Sequence, residues 1–242
     1  MINNKKILIV IPCFNVEQWI TKTILTIPDF VDKIIAVDDC SNDNTLQILE
    51  NLKNVHIEII KHKKNIGVGG AIVSGYKYGI ENNYDLIGVM AGDNQMNPNE
   101  LKGMIEFLIK NNIDYVKGNR FKKLSTFFKM PVKRIAASVV LSVLTKIGTG
   151  YYHISDSQSG YTVITKDILQ KINLNKIFKR YGYPNDLLSK LSLINAKVKD
   201  YPISAVYEGQ SSGLKLCKII VPFSKIFFNM YLNKIKKILK IV

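Results

Sequence analysis

Asp93 stands where a buried strand should end. It follows the apolar run YDLIGV, in MAGDNQMNP, with Gln95 two residues on and Pro98 beyond. An acid and an amide so placed are either a helix cap ahead of Pro98 or hard oxygen donors for a divalent cation. Asp38 and Asp39 are adjacent in VDDCSNDNT. Carboxylates there can accept hydrogen bonds from a nucleobase N–H or from ribose hydroxyls. Ser41 and Asp43 read as caps for the next helix, which leaves the acid pair unexplained by capping. Arg120, in GNRF, carries a planar fork of donors suited to phosphate, and Arg134 lies beside Lys133 in a basic stretch. HISDSQSGYT supplies Asp156 and GYPNDLL supplies Asp186. Either could take a proton from an acceptor hydroxyl, and Asp186 reads equally as a helix N-cap. The glycine cluster NIGVGGA matches neither GxGxxG after a first strand nor GxxxxGK[ST]. It reads first as a helix start that needs close packing, with Lys64 and Asn65 near enough to reach a nucleotide.

Those residues need elements to hold them. Residues 6–12 (KILIVIP), 33–37 (KIIAV), 55–60 (VHIEII), 85–90 and 113–117 read as strands. Between them, residues 16–27, 43–53, AIVSGYKYGI and 98–110 have helical spacing. Strands alternating with helices predict an α/β fold, a mainly parallel sheet covered on both faces. Ligands of such sheets sit beyond the carboxyl ends of the strands, and PCFN, DDCSND and AGDNQ all fall there. After residue 118 the pattern changes. Residues 131–147 read as an apolar helix with a basic start, 149–162 as a polar, aromatic loop, 185–194 as a helix, and AKVKDYPISAVY as a strand. A last helix runs from Pro222. Lys225, Asn229, Asn233, Lys236 and Lys240 form its polar stripe, and Phe223, Phe227, Tyr231, Ile235 and Ile238 lie away from it. This basic amphipathic helix is expected to lie in a membrane interface or to pack on its own domain.

Composition narrows the classes. The chain has 242 residues, 47% of them apolar, enough for one large domain or two small ones. The net charge is +15. Residues 117–150 hold eight Lys or Arg and residues 213–242 hold seven Lys, with no acid in either stretch. Two basic segments thus sit on a neutral remainder, which points to an anionic partner. Nucleic acid is not expected. The charge is not interleaved with stacking aromatics in a known module, and the strand-end acids would repel phosphates. Cys13, Cys40 and Cys217 form no CxxC pair, so a reduced cytosolic setting is expected. MINNKKILIVIPCFN lacks the longer apolar region of a signal peptide, and no stretch reaches the ~18 apolar residues of a membrane span.

In this order, IPCFN, VDDCSNDNT, NIGVGGA, GDNQ, GNRF, HISDSQSGYT and GYPNDLL resemble family 2 glycosyltransferases. The finer resemblance, over residues 6–215, is to the dolichol-phosphate mannose synthase-like group, the polyprenyl-phosphate glycosyltransferases. It implies a nucleotide-sugar-binding, Rossmann-like GT-A domain at 1–215, with a nucleotide-sugar half at 1–117 and an acceptor half at 118–215. Residues 216–242 would be a basic, amphipathic, membrane-associating helix. The resemblance gives nucleotide-sugar binding to Pro12, Phe14, Asn15, Glu17, Asp38 and Asp39, to Lys64 and Asn65, and to Ala91, Gly92 and Asp93. The family often carries Asn-Glu where this chain has Asn15-Val16-Glu17.

The family also carries a D-x-D pair followed by Gln; here Ala91 takes the first position, Asp93 the second, and Gln95 is retained. Mg²⁺ or Mn²⁺ would then be held by Asp93 and Gln95 and completed by the donor's phosphates. Arg120 and Arg134 are implied to hold the acceptor phosphate. Lys215 stands in a closing loop, residues 207–215, where relatives often carry arginine. The implied activity is inverting transfer of a sugar from a nucleotide diphosphate to dolichyl or undecaprenyl phosphate. The enzyme would be cytoplasmic, peripheral on the inner face of an anionic membrane, with room for a membrane-protein partner. A phosphate acceptor is already anionic and needs positioning more than a base. The alternative is transfer to a glycan hydroxyl in surface polysaccharide synthesis, with Asp186, or Asp156, as base.

Overall fold

The first strand, β1 (Ile7–Cys13), opens with five apolar residues in a row. Both its faces are covered, so alternate residues serve different cores. Ile7, Ile9 and Ile11 pack with Ile20 and Ile24 of α1 (Ile20–Leu25), Leu49 of α2 (Thr45–Asn51), and Leu101, Met104 and Ile105 of α4 (Asn99–Lys110). Leu8 and Val10 pack on the other side with Ala71, Ile72 and Tyr76 of α3 (Val68–Glu81). Gly75 lies where α3 crosses β1: an added Cβ would meet Val10 Cγ1 at 2.3 Å.

The computed structural model describes residues 1–52, 56–123, 130, 132–204, 206 and 216–239. The other strands are β2 (Lys33–Asp38), β3 (Ile57–Lys61), β4 (Leu86–Val89), β5 (Tyr115–Asn119), β6 (Thr162–Thr165) and β7 (Val198–Pro202). They form one seven-stranded sheet in the order β3-β2-β1-β4-β6-β5-β7. All pairs are parallel except those of β6, which runs antiparallel to β4 and to β5. The mainly parallel α/β sheet expected from the sequence is therefore present. The segment before β6 lies at the same sheet edge as the carboxyl ends of the other six strands. That reversal brings Asp156–Tyr161 to the edge already holding PCFN, DDCSND and AGDNQ.

Two elements were not legible. β6 (TVIT) and the short α6 (Lys166–Gln170) fall between the loop and helix read from the sequence. Four residues bounded by a polar loop carry too little periodicity to separate strand from loop. Beyond the sheet, α5 (Val132–Thr149), α7 (Tyr183–Leu193) and α8 (Leu216–Ile238) pack on one another. α8 starts before Pro222, which lies inside it. Phe223, Ile226, Phe227 and Met230 are buried against Leu141 and Leu144 of α5 and Phe178, with Tyr231 packed beside them. Of the two readings of this helix, self-packing holds for its Phe223, Phe227 and Tyr231 side, because α5 and Phe178 supply an apolar bed. Among the described residues no helix is long and apolar enough to cross a membrane. Lys215, with the rest of residues 207–215, lies outside the described residues.

Candidate functional site

The turns after β1 and β2 are tied together. Asn15 N donates to Ser41 Oγ at 3.1 Å, Val16 N to Thr45 Oγ1 at 2.9 Å, and Glu17 N to Asp43 Oδ2 at 3.2 Å. In return, Asn42 N donates to Asn15 Oδ1 at 2.8 Å and Asn44 N to Glu17 Oε2 at 2.9 Å. Asn15 and Cys40 hold positive φ, 53° and 62°, so both turns are sharp. Asn15 and Glu17 thus spend their side chains on the neighbouring turn. Phe14, 45% exposed, is left at the mouth beside Pro12, with an open ring face.

The acid pair divides its work. Asp39 is consumed by the loop after β3: its carboxylate accepts from Ile66 N at 2.9 Å, Gly67 N at 2.7 Å and His62 Nδ1 at 2.7 Å. Asn65 Nδ2 donates to its carbonyl at 3.2 Å. Because an ionised carboxylate only accepts, His62 places its proton on Nδ1 and its Nε2 faces Ser74 Oγ at 2.9 Å. Asp38 is different. One oxygen accepts from Ser41 N at 3.3 Å. The other, Oδ1, is buried with no hydrogen-bond partner among the described residues. A buried acceptor without a partner is costly, and at a strand end it suits a donor from a bound base or sugar. His62 was not singled out from the sequence; its signal was only its place at the end of β3.

The glycine cluster packs closely, as its sequence reading favoured. An added Cβ at Gly67, whose φ is +96°, would lie 2.5 Å from Lys179 O, and one at Gly69 2.3 Å from Phe178 O. Lys64 is exposed on this loop.

After β4, Gly92 packs under α1, its carbonyl accepting from Thr23 Oγ1 at 3.2 Å, and Ala91 N donates to Met96 Sδ at 3.2 Å. Asp93 Oδ1 accepts from Gln95 N at 3.1 Å, which fixes the turn. Burial raises the Asp93 pKa, opposed by its backbone hydrogen bonds and by the charge of Arg134 on α5. Among the described residues no three acids, histidines or cysteines cluster as a metal cage. One carboxylate and one amide are oxygen donors of the kind Mg²⁺ and Mn²⁺ prefer, and such ions take one or two carboxylates plus phosphates. The residues present fit that use.

Beyond β5 the side chains are charged and buried. Arg120 grips Asp156 with its fork, Nε to Oδ2 at 2.7 Å and Nη2 to Oδ1 at 2.9 Å, and its backbone N adds 3.2 Å to Oδ2. Asp156 is fully buried. Burial pushes its pKa up, but the charge and hydrogen bonds of Arg120, then the charge of Lys117, outweigh it and hold it low. Lys117, also fully buried, donates to Ser159 O. Burial lowers its pKa to about 8, against the pull of Asp156 and Asp200. Asp200 accepts from Asn119 Nδ2 at 2.6 Å and Ser155 N at 2.7 Å, and burial raises its pKa. Both carboxylate oxygens of Asp156 are thus occupied by Arg120. Asp186 lies in the first turn of α7, not at its N-cap, which is Gly182. It accepts from Phe178 N at 2.7 Å and Lys190 Nζ at 2.5 Å. His153, bonded to Val198 O at 2.7 Å, supports β7.

Residues 8–173 match the glycosyl transferase family 2 domain. The chain is similar to the UDP-N-acetylglucosamine–dolichyl-phosphate N-acetylglucosaminyltransferase of Methanococcus voltae, with 30% identity over 251 residues, 98% of this chain and 99% of that protein. It is similar to the undecaprenyl-phosphate mannosyltransferase of Micrococcus luteus, with 25% identity over 206 residues, 83% of this chain and 84% of that one. The fold matches the glucosyl-3-phosphoglycerate synthase of Mycobacterium tuberculosis, solved with Mn²⁺, UDP and glucosyl-3-phosphoglycerate. The TM-score there is 0.67 at 13% identity, covering 97% of this chain and 80% of that one.

Proposed function

Because the chain belongs to family 2 of the glycosyl transferases, we propose that it moves a sugar from a nucleotide diphosphate to a polyprenyl phosphate, with inversion at the anomeric carbon. The observation that carries this reading is the fork of Arg120 on Asp156, at the sheet edge that also holds the Asp93 turn. A donor site at the Asp93 turn and an acceptor site at Arg120 would then share one sheet edge. The relatives that act on dolichyl and undecaprenyl phosphate support the acceptor class, and the UDP-bound neighbour supports the donor class.

Asp38 accepts a hydrogen bond from the nucleoside through its unpartnered oxygen, while Phe14 and Pro12 close over it. Asp93 and Gln95 would hold Mg²⁺ or Mn²⁺, which supplies charge stabilisation for the departing diphosphate. Arg120, oriented by Asp156, and Arg134 hold the acceptor phosphate in line with the anomeric carbon. A phosphate oxygen forms the new bond to that carbon as its bond to the diphosphate oxygen breaks, and the electron pair leaves with the nucleoside diphosphate. The attacking oxygen is already anionic, so no general base is required. Asp156 and Asp186 therefore act as anchors, of Arg120 and of the 178–183 segment. Residues 1–215 make the transferase and 216–242 associate with the membrane, at its cytosolic face, where a membrane-protein partner can receive the product.

The test is incubation of the purified protein with labelled nucleotide sugars and Mn²⁺, offering either polyprenyl phosphate or an oligosaccharide. Label in the lipid phase is expected. Label only on the oligosaccharide, with loss on Asp186→Asn, would establish the hydroxyl-acceptor alternative instead.

A further inference from the structure

Helix α5 buries a polar side and an apolar side and leaves a second apolar stripe outside. The side toward α7 and the loop before β6 is polar: Ser138, Ser142 and Thr145 are 6%, 3% and 2% exposed, while Leu141 and Leu144 pack on α8. Ser142 Oγ bonds Ser157 Oγ at 3.1 Å, and Asn185 Nδ2 donates to Thr145 Oγ1 at 2.6 Å. Its outer face is apolar: Val139, Val140, Val143 and Ile147 are 46%, 59%, 48% and 49% exposed. They recur at spacings of three and four, one continuous stripe. In water the stripe would turn inward. The next helix repeats the feature. While Phe223, Ile226, Phe227 and Met230 of α8 point inward, Phe228, Leu232 and Ile235 are exposed on its other side. Tyr231 Oη donates to Leu144 O at 3.0 Å and Lys234 Nζ to Ile147 O at 2.5 Å, so the two helices lie side by side.

We propose that the outer faces of α5 and α8 together form a docking surface for an anionic lipid bilayer, with the α5 stripe as an essential half. The inference deepens the lipid-acceptor reading and rests on it for its purpose. Charge selects the occupant. Neither 132–149 nor 216–238 contains an acid, and Lys225 and Lys236 are exposed beside the α8 stripe. Lipid phosphates complement that charge; a second copy of this chain would set lysine against lysine. Both helices commit their inner faces to protein, so they lie flat in the interface rather than cross it. Arg134 stands on α5 ahead of the stripe, five residues from Val139, or about 7.5 Å along the axis. Docking therefore fixes the phosphate-binding arginine at headgroup depth.

Flotation of the full chain tests this, using phosphatidylcholine–phosphatidylglycerol vesicles that contain neither polyprenyl phosphate nor nucleotide sugar. Wild type is expected to float. Val140→Ser/Val143→Ser is expected to weaken binding roughly tenfold, and Leu232→Ser/Ile235→Ser similarly, with unchanged Tm because all four side chains already face solvent. Binding by the α5 variant equal to wild type would overturn the proposal. So would failure of the wild type to float, or a concentration-dependent dimer that the α5 variant abolishes. Since no substrate is present, failed transfer and failed docking are separate outcomes.

Discussion

Along one sheet edge, Asp39 in the turn after β2 is held largely by backbone amides, while Asp156 in the loop before β6 is held by the fork of an arginine. Asp39 is satisfied by Ile66 N, Gly67 N and a histidine. Asp156 is satisfied by the fork of Arg120, with Lys117 nearby. The first arrangement is a set of turns that any chain with the right short motifs can make. The second is a charge cluster whose members arrive from β5, the loop before β6, and β7. Backbone amides keep their dipoles whatever the side chains do, so in the first region a single charge change weakens hydrogen bonds without leaving a buried lysine or arginine unpaired. In the second, each charge balances the others, and removing one strands its partner in a poor solvent.

The sharpest way to break this contrast is Asp156→Asn. It should destabilise the protein by about 3–5 kcal/mol in denaturant unfolding, and should raise the KM for the acceptor more than that for the donor. A loss below about 1 kcal/mol would mean Arg120 is held by something else. Asp93→Asn should lower metal-dependent transfer about a hundredfold to a thousandfold with little change in Tm. Full activity of that variant, or activity that survives a chelator, would remove Asp93 from metal binding. The adjacent acids should separate cleanly. Asp39→Asn should cost about 1–3 kcal/mol of stability, whereas Asp38→Asn should spare Tm and weaken nucleotide-sugar binding about tenfold by calorimetry. Equal effects on both readouts would erase the division of labour between them.

A pH dependence probes the second region from another side. Burial lowers Lys117 from its ordinary 10.5 to about 8. Between those values the unfolded chain holds a proton that the native state has released, so native stability rises with pH across the window. Wild type should gain stability relative to Lys117→Met as pH rises from about 8 to about 10, and parallel curves for the two would place the buried lysine's pKa elsewhere.

The first half of the chain was legible because each strand and the turn that ends it are neighbours in sequence. Alternating strands and helices, with acids at strand ends, specify a parallel sheet and one functional edge through local rules alone. The motifs PCFN, DDCSND and AGDNQ therefore announced their place. Three matters were decided only in the tertiary structure. The sequence could not distinguish Asp38 from Asp39, since both are the same residue type at one strand end; the loop after β3 chose Asp39. It offered Asp156 as a base without showing its contact with Arg120, which lies across a long sequence separation. It showed α5 as apolar without saying which side faced out, because periodicity marks a stripe but not what lies against it. Local order follows from neighbours along the chain. The partners of a charge or of a helix face are set by packing between distant segments, and only the folded molecule brings those together.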